Sequence, residues 1–177
     1  FKGFSDFWEI PRGYQTPNDG TWVSGPGYEL FETVKSELGE LPIIAENLGY
    51  IDEKAEQLLK ETDYPGMKIL EFGFYDTSAN SLELPHYHTR NQVIYTGTHD
   101  NAVINEWYQE LEPNQRDFVI RFTHKADYET IAQAMIRTLY SSVADISIIT
   151  MQDLLEKDGS CRMNLPNTCL LYTSPSP

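Results

Sequence analysis

The sequence predicts an α/β fold in which strands and helices alternate along the chain and the strands run parallel. Short apolar runs of strand length recur between longer segments with helical spacing. Polar residues follow just after several of these runs, at 46–47, 98–101 and 152–153, the last of which is Asp153. Strands joined through helices are parallel and present their carboxyl ends at one edge. A (β/α)₈ barrel and an open doubly wound sheet both fit this order. The polar strand ends favour the barrel, where catalysis takes place at that face.

The predicted elements follow an irregular N-terminal stretch that is rich in Gly, Pro, Asn and aromatic residues. Gly39 is a typical helix C-cap, and Asp52 is a typical N-cap. The predicted strands are apolar on both faces, as parallel strands covered on both sides are. In chain order we predict a loop over 1–28, a helix over 29–38, a strand over 42–45, a helix over 52–62, a strand over 67–74, a loop over 75–91, a strand over 92–96, helices over 102–111, 114–123 and 128–142, a strand over 146–150 and a short helix from 151.

Composition limits the classes of partner. The chain has 177 residues, enough for one domain, with 13 basic and 27 acidic side chains and a formal net charge of −14. Such an acidic chain is a poor match for nucleic acid or an anionic membrane, since both attract basic patches. Cys161 and Cys169 show neither disulfide nor metal spacing, which favours a reducing compartment and a cytoplasmic protein.

The ends of the chain have unusual features. It begins at Phe1 without a Met or a signal-peptide pattern, and we interpret it as a fragment. The last nine residues, 169–177, fit nothing before them and are interpreted as a non-native tail, which leaves 1–168 as a partial catalytic domain. No apolar run approaches the roughly 20 residues that a membrane helix needs.

Aromatic residues are numerous, with 11 Tyr, 8 Phe and 3 Trp. Their faces could stack on sugar rings, but an ordinary apolar core would use them equally well. Trp8 and Trp22 flank a segment rich in Gly and Pro, where both sugar stacking and loop packing would explain them.

Two carboxylates are candidates for catalysis. Glu46 directly follows the apolar run 42–45, and a carboxylate in that position is partly desolvated, which suits a general acid. A capping or loop-pairing glutamate would fit the same position. Asp100 stands in the polar segment 96–101, whose side chains could bind a metal, orient a nucleophile or bind sugar hydroxyls. A helix cap is the simpler alternative for Asp100.

The histidines do not follow a standard metal pattern. His86, His88 and His99 match no zinc-ligand spacing, and we expect His88 to be a surface or hydrogen-bonded residue. The chain also lacks a phosphate-binding glycine loop and a Gly-x-Ser-x-Gly elbow.

Five segments, taken in order, resemble glycoside hydrolase family 77, the amylomaltases. The resemblance covers about residues 1–168, and the ordered set is far more specific than any one segment. The segments are FKGFSDFWEIP with GTWVSGPG, LPIIAENLG, PGMKILEFGF, LPHYH with VIYTGTHDN, and CRMNLPNT.

This resemblance implies the C-terminal half of a (β/α)₈ barrel of the alpha-amylase superfamily, without a cofactor or metal. It implies transfer of alpha-1,4-glucan segments to glucose or another glucan by a retaining double displacement. Glu46 matches the general acid/base and Asp100 the carboxylate that stabilises the transition state. The expected sugar-binding residues are His99, His86, Asn47, Trp8, Asn101 and Arg162. Asn47 stands where the family usually has Asp, and Glu71 where it usually has Gln.

The family's nucleophilic aspartate precedes the FKGF-like segment by two residues, so we expect it upstream of Phe1 and expect the chain alone to be inactive. Expected partners are maltooligosaccharides, starch and glycogen, and neither nucleic acid nor membrane. The alternatives are a hydrolase or debranching enzyme of the alpha-amylase superfamily and a non-catalytic glucan-binding protein. A histidine-based metal hydrolase is a more distant alternative.

Overall fold

The computed structural model describes residues 1–14, 16–49 and 51–166, arranged as two compact units. The first unit is Phe1–Met67, and the second begins at Lys68. The tail over 169–177, with Cys169, lies outside the described residues. No helix in the described parts of the chain is long and apolar enough to cross a membrane.

The first unit opens with a two-stranded antiparallel sheet. Strand β1 (Asp6–Glu9) pairs with β2 (Thr21–Ser24), and the register places Trp8 opposite Trp22. The predicted loop over 1–28 was therefore wrong for these strands. Each strand has only four residues, and the connection over residues 10–20 is far longer than the two-residue turn by which a hairpin is recognised in a sequence.

Both predicted helices of the first unit are confirmed. Helix α1 (Gly27–Leu38) ends at Gly39, whose φ of 76° lies in the left-handed region that glycine adopts without strain. Helix α2 (Glu53–Thr62) begins after Asp52, whose side chain accepts a hydrogen bond from the Ala55 N–H at 3.0 Å.

The predicted buried strand over 42–45 was wrong. Only Ala45 forms a β-bridge, parallel to Gly66, and its N–H donates to the Pro65 carbonyl at 2.9 Å. Ala45 is 2% exposed, whereas Ile44 is 43% exposed. An apolar run becomes a strand only where a neighbouring backbone offers a continuous ladder, and this run finds a single bridge.

A second sheet has the strand order β3–β4–β5, where β3 is Gly66–Ile69, β4 is Gln92–Tyr95 and β5 is Ile146–Ile148. The boundary between the units falls inside β3. Strands β4 and β5 are parallel, which confirms the predicted orientation for this pair. The strand predicted over 67–74 ends early, because the chain turns into a 3₁₀ helix at Leu70–Phe74.

Four helices of the second unit confirm the predicted ones. They are α3 (Ile104–Glu110), α4 (Pro113–Thr123), α5 (Ile131–Leu139) and α6 (Met151–Leu154). The bounds of α3 and α5 are narrower than predicted, and α4 starts one residue earlier. The apolar faces of these helices form a core with Ile94 of β4 and with residues that lie between β3 and β4. Its members are Leu70, Phe74, Leu84, Ile94, Ile104, Trp107, Leu111, Phe118, Val119, Ala132, Met135 and Leu139.

The apolar pattern had predicted that the strands are covered on both faces, and this prediction was wrong for β5. Ile146 is 46% exposed and Ile148 is 41% exposed. Both side chains therefore leave apolar surface of the second unit in contact with solvent.

Candidate active site

The polar segment after β4 forms a tight loop at the strand's carboxyl end. We call residues 97–103 the Asp100 loop. Asn101 Oδ1 accepts hydrogen bonds from the Thr98 N–H at 2.8 Å and from the Thr98 hydroxyl at 2.7 Å. The Asn101 N–H in turn donates to the Thr98 carbonyl at 3.1 Å. These bonds close the turn and leave His99 and Asp100 at its outer side, with side chains 58% and 56% exposed.

Asp100 is held by residues from the end of the described chain. Asn164 Nδ2 donates a short hydrogen bond to Asp100 Oδ1, and Arg162 Nη2 donates to the Asp100 carbonyl at 3.2 Å. His99 Nε2 lies 3.4 Å from Asp100 Oδ1. The carboxylate therefore has two neighbouring nitrogen groups that fix its orientation while it remains open to a ligand.

Arg162 is a central cation of this site. Its side chain is only 17% exposed, and Nη1 lies 3.6 Å from Glu106 Oε2 on α3. Its Nε donates to the Asn164 carbonyl at 3.3 Å, which orders the segment that contacts Asp100. No local sequence pattern marks residues 162–164 as functional. The resemblance alone indicated that Arg162 belongs to the site.

Beneath the Asp100 loop lies the buried side chain of Glu71, which is 1% exposed. The backbone N–H of Glu71 donates to the Thr96 carbonyl at 3.2 Å. Glu71 Oε2 lies so close to Gly97 that a β-carbon on residue 97 would be only 2.9 Å from it. Glycine is thus the residue that allows this approach. Among the described atoms, Glu71 Oε1 has no hydrogen-bond partner.

Burial holds the pKa of Glu71 well above its usual value, and the negative charges of Asp153 and Glu106 raise it further. The charge of Arg162 acts in the opposite direction without cancelling these effects. The Glu71 side chain is consequently a neutral carboxylic acid over part of the pH range in which glutamate is normally ionised.

Asp153 is the second buried carboxyl group of this region, at 2% exposure. It accepts hydrogen bonds from the Thr96 hydroxyl at 2.7 Å and from the Ile104 N–H at 2.8 Å. The sequence identified Asp153 only as one of the polar residues that follow a strand. Its contact with residues about 50 positions away is a long-range feature that no local pattern encodes.

The two neighbouring histidines differ in environment. His86 is exposed and lies in the 3₁₀ turn Pro85–Tyr87, with Nε2 3.1 Å from the Ala79 carbonyl. His88 is buried, and its ring nitrogens contact Ser142 Oγ at 2.8 Å and the Glu83 carbonyl at 3.0 Å. Burial lowers the pKa of His88. The prediction of a hydrogen-bonded His88 is confirmed.

In the first unit, Glu46 is exposed immediately after the bridged residue Ala45. The expected partial desolvation by a preceding strand is absent from the described structure. Asn47 is half-buried, and its Oδ1 accepts a hydrogen bond from the Met67 N–H at 2.7 Å. Asn47 therefore supports the start of β3 with its side-chain oxygen.

Trp8 packs against Trp22 across the β1–β2 pair. The ring centroids are 5.3 Å apart at an interplanar angle of 70°, and the two residues are 39% and 58% exposed. The Lys2 ammonium lies 4.8 Å from the centroid of the Trp22 ring. Both indoles thus combine loop packing with a face that remains accessible.

The structure brings together His99, Asp100, Asn101 and Arg162 in the second unit, whereas His86 belongs to a separate loop of that unit. In the first unit, Glu46 and Asn47 are neighbours in sequence and Trp8 lies on the β1–β2 sheet. Across the described ranges of the chain, no group of three or more His, Cys, Asp or Glu side chains is arranged to hold a metal ion.

Comparison with known proteins gives a consistent result. A family model described as 4-alpha-glucanotransferase matches residues 1–173. The chain belongs to this family, glycoside hydrolase family 77. It is 49% identical over 169 residues to the 4-alpha-glucanotransferase of Streptococcus pneumoniae serotype 4, covering 95% of this chain and 33% of that protein. It is 41% identical over 168 residues to the chloroplastic/amyloplastic 4-alpha-glucanotransferase of Solanum tuberosum, covering 95% and 29%.

Two solved structures are similar to the chain. The chain superimposes on amylomaltase from Streptococcus agalactiae in complex with acarbose with a TM-score of 0.90 and 55% identity, over 95% of this chain and 34% of that one. Amylomaltase from Corynebacterium glutamicum has a TM-score of 0.71 at 14% identity, which shows a shared fold. The predicted family membership and the mixed α/β class are confirmed. The chain spans about a third of the length of these relatives.

Proposed function

We propose that the complete protein containing this chain is a 4-alpha-glucanotransferase. It would transfer alpha-1,4-glucan segments to glucose or another glucan by a retaining double displacement. The observation that carries the proposal is the match to an amylomaltase in complex with acarbose, at a TM-score of 0.90 and 55% identity. Because the chain spans about a third of its relatives, the activity is proposed for the complete protein and not for residues 1–177 alone.

The fold proposed for the complete protein is a (β/α)₈ barrel, with this chain as its C-terminal half. The strand order β3–β4–β5 supports this, since consecutive strands of such a barrel are neighbours. The parallel bridge between Ala45 and Gly66 is consistent with a further strand position before β3. Barrel closure would also give the exposed residues of β5 an apolar neighbour.

Glu46 is proposed as the general acid/base. It would protonate the oxygen of the leaving glucan and then remove the proton from the 4-hydroxyl of the incoming one. A retaining reaction also needs a nucleophilic carboxylate about 5–5.5 Å from the acid/base, which we assign, by resemblance, to the segment preceding the FKGF-like motif. The exposure of Glu46 in the described chain means that bound glucan and the remainder of the complete protein must exclude water there.

Asp100 is proposed to stabilise the oxocarbenium-like transition state by its negative charge. The contacts from Asn164 and Arg162 support this role, because they fix the loop before substrate arrives. Preorganised charge needs little rearrangement during the reaction, which is why such contacts are effective in catalysis. His99 lies beside Asp100 and is exposed, so its ring can donate a hydrogen bond to a bound sugar or accept one from it.

The remaining proposed sugar-binding residues fall into two groups. His86 and Trp8 have exposed surface that a sugar can contact directly. In contrast, Asn47, Asn101 and Arg162 already use polar atoms in protein contacts, at Met67, Thr98 and Asp100. For these three we propose that sugar contact uses the remaining donors, while the observed bonds hold the side chains in place.

The proposed partners are neutral glucans such as maltooligosaccharides, starch and glycogen, in the cytoplasm. The net charge of −14 supports this choice over nucleic acid or an anionic membrane, which would be repelled.

The test is incubation of the complete protein with maltotriose. A ladder of longer glucans supports transfer, whereas glucose and maltose alone indicate a hydrolase, and tight glucan binding without any product indicates a non-catalytic binding protein. Residues 1–177 alone should give no product under the same conditions. Transfer by that polypeptide would contradict the assignment of the nucleophile to another segment.

A further inference from the structure

One buried side chain contacts both ends of the Asp100 loop. Asp153 Oδ2 accepts a hydrogen bond from the hydroxyl of Thr96, the residue before the loop, at 2.7 Å. Asp153 Oδ1 accepts from the N–H of Ile104, the residue after the loop, at 2.8 Å. Asp153 is 2% exposed, and Thr96 and Ile104 are 0% exposed, so water does not compete for either bond.

We propose that Asp153 is a positioning residue for glucan transfer, which fixes the separation of the two loop ends and thereby the place of the Asp100 carboxylate. The inference rests on the proposed function for its catalytic readout. Asp153 does not touch the reacting atoms. It acts through Thr96 and Ile104, and so through the seven residues between them.

The position of Asp153 is itself well determined. It lies in α6, which follows β5, and its N–H donates to the Thr150 hydroxyl at 3.2 Å. The contact to Thr96 therefore links the carboxyl ends of two neighbouring parallel strands, β4 and β5. A loop held at both ends from the adjacent strand has few ways to shift without breaking a buried hydrogen bond.

This support is separate from the bonds that reach Asp100 directly. Arg162 and Asn164 contact the middle of the loop, at the carbonyl and the carboxylate of Asp100. The hydrogen bonds of the Asp153 carboxylate instead reach Thr96 and Ile104, which flank the loop. If the ends moved, the middle would move with them, and displacement of a catalytic group by about 1 Å can reduce a rate by about 10²-fold.

The main experiment replaces Asp153 by Ala in the complete protein and measures transfer from maltotriose below the melting temperature of the variant. We expect kcat to fall by about 10²-fold with KM within about twofold of wild type, because the charge on Asp100 acts in the transition state. A purely structural role would lower the melting temperature and leave kcat of the folded enzyme unchanged. A wild-type kcat in D153A would overturn the proposal.

A conservative variant and a matched control sharpen the result. Asp153→Asn should keep most of kcat, since its amide oxygen accepts from the Ile104 N–H and its amide group can donate to the Thr96 hydroxyl. A loss as large as that of D153A would contradict the proposal. Asp145→Asn makes the same change at the opposite end of β4 and β5, where Asp145 pairs with Arg90 at 2.8 Å, and should leave kcat unchanged. A loss there equal to that of D153A would also count against the proposal.

Thr96→Val tests the proposal if D153A does not fold. It removes the hydrogen bond between Thr96 and Asp153 with almost no change in side-chain size and leaves the bond from Ile104. We expect kcat to fall by about five- to tenfold, consistent with the loss of one buried hydrogen bond. A wild-type kcat in T96V would then overturn the proposal.

Amide hydrogen exchange separates this inference from the proposed function. The Ile104 amide should exchange faster in T96V, and in D153A where it folds, whether or not the protein transfers glucan. If the wild type made no longer glucans, the proposed function would fail while faster exchange would still support the fixed loop. Unchanged exchange at Ile104 in both variants would overturn the positioning role whatever the activity.

Discussion

The two units support their candidate carboxylates in different ways. In the first unit, Glu46 is exposed on an irregular segment that makes a single β-bridge at Ala45. In the second, Asp100 stands on a closed loop with contacts from Arg162 and Asn164, above two buried carboxyl groups. The difference teaches that contacts within the described residues preorganise Asp100 for its proposed role, whereas the same residues leave the Glu46 side chain exposed.

The largest effect is expected from the two carboxylates themselves. In the complete protein, Glu46→Gln should lower kcat by about 10³-fold, since proton transfer contributes about 10²–10⁴-fold. Asp100→Asn should lower kcat by about 10²–10³-fold through lost electrostatic stabilisation. Transfer from maltotriose measures both. Glu61→Gln, on the exposed face of α2, is the matched control and should have wild-type kcat. Wild-type kcat in E46Q would show that the acid/base is elsewhere.

The next effect compares one buried aromatic residue in each unit, Phe74 in the core of the second unit and Phe31 in the first. Phe74 is 0% exposed and contacts Trp107, Phe118 and Phe122 with ring centroids 5.5–5.8 Å away. Phe74→Ala should reduce the free energy of unfolding by about 3–5 kcal/mol. Phe31→Ala in the first unit should cost less than about 3 kcal/mol, because its neighbour Phe4 is itself 39% exposed and part of the gap can fill with water.

Urea unfolding followed by circular dichroism measures both losses. Tyr128→Ala, at a residue that is 89% exposed, is the control and should change stability by no more than about 0.5 kcal/mol. Equal losses in F74A and F31A would contradict the contrast between these two residues.

The outcome of the sequence predictions follows the range of the interactions involved. Helix ends were predictable from Gly39 and Asp52, because caps act within a few residues. The run 42–45 was mistaken for a strand, since a strand depends on a partner strand whose place in the sequence no local pattern gives. The role of Asp153 could not be predicted, because Thr96 and Ile104 reach it only after folding. Asp100 became a candidate through its dense polar neighbourhood, and Glu46 through its position after an apolar run together with the resemblance.

A third prediction concerns Glu71, whose pKa is raised by burial in the second unit. The folded state keeps its proton at pH values where the unfolded state has lost it. The stabilising contribution is therefore complete below the ordinary value of 4.5 and is lost as pH rises toward the folded-state pKa. Glu71→Gln should become progressively more stable than wild type across this window, by at most about 1.4 kcal/mol per pH unit. Melting temperatures of both proteins between about pH 4 and about pH 8 measure this difference in stability.

A constant difference between E71Q and wild type over that range would show that Glu71 is ionised in the folded protein. Activity gives a second readout, because an uncharged side chain at this position should preserve the support beneath Gly97.

The smallest expected effect concerns Asp52 in the first unit. Its contribution to stability changes with pH in the opposite direction to that of Glu71. A hydrogen bond from the Lys2 side chain, together with one from the Ala55 N–H, lowers the pKa of Asp52 below 3.8. Its contribution is present at neutral pH and is lost as pH falls through the folded-state pKa. Asp52→Asn should therefore be slightly less stable than wild type at about pH 7. Melting temperatures should show that this difference shrinks on acidification and in high salt. A difference that grows on acidification would contradict this.

The pairing of Trp8 with Trp22 also makes the first unit optically distinct. Two indoles 5.3 Å apart at 70° couple their electronic transitions, and such coupling gives a circular dichroism couplet that disappears when the rings separate. The third tryptophan of the chain, Trp107, is buried in the core of the second unit and reports through its fluorescence. The protein therefore carries an intrinsic reporter for each unit, so that the order in which they unfold can be followed without labels.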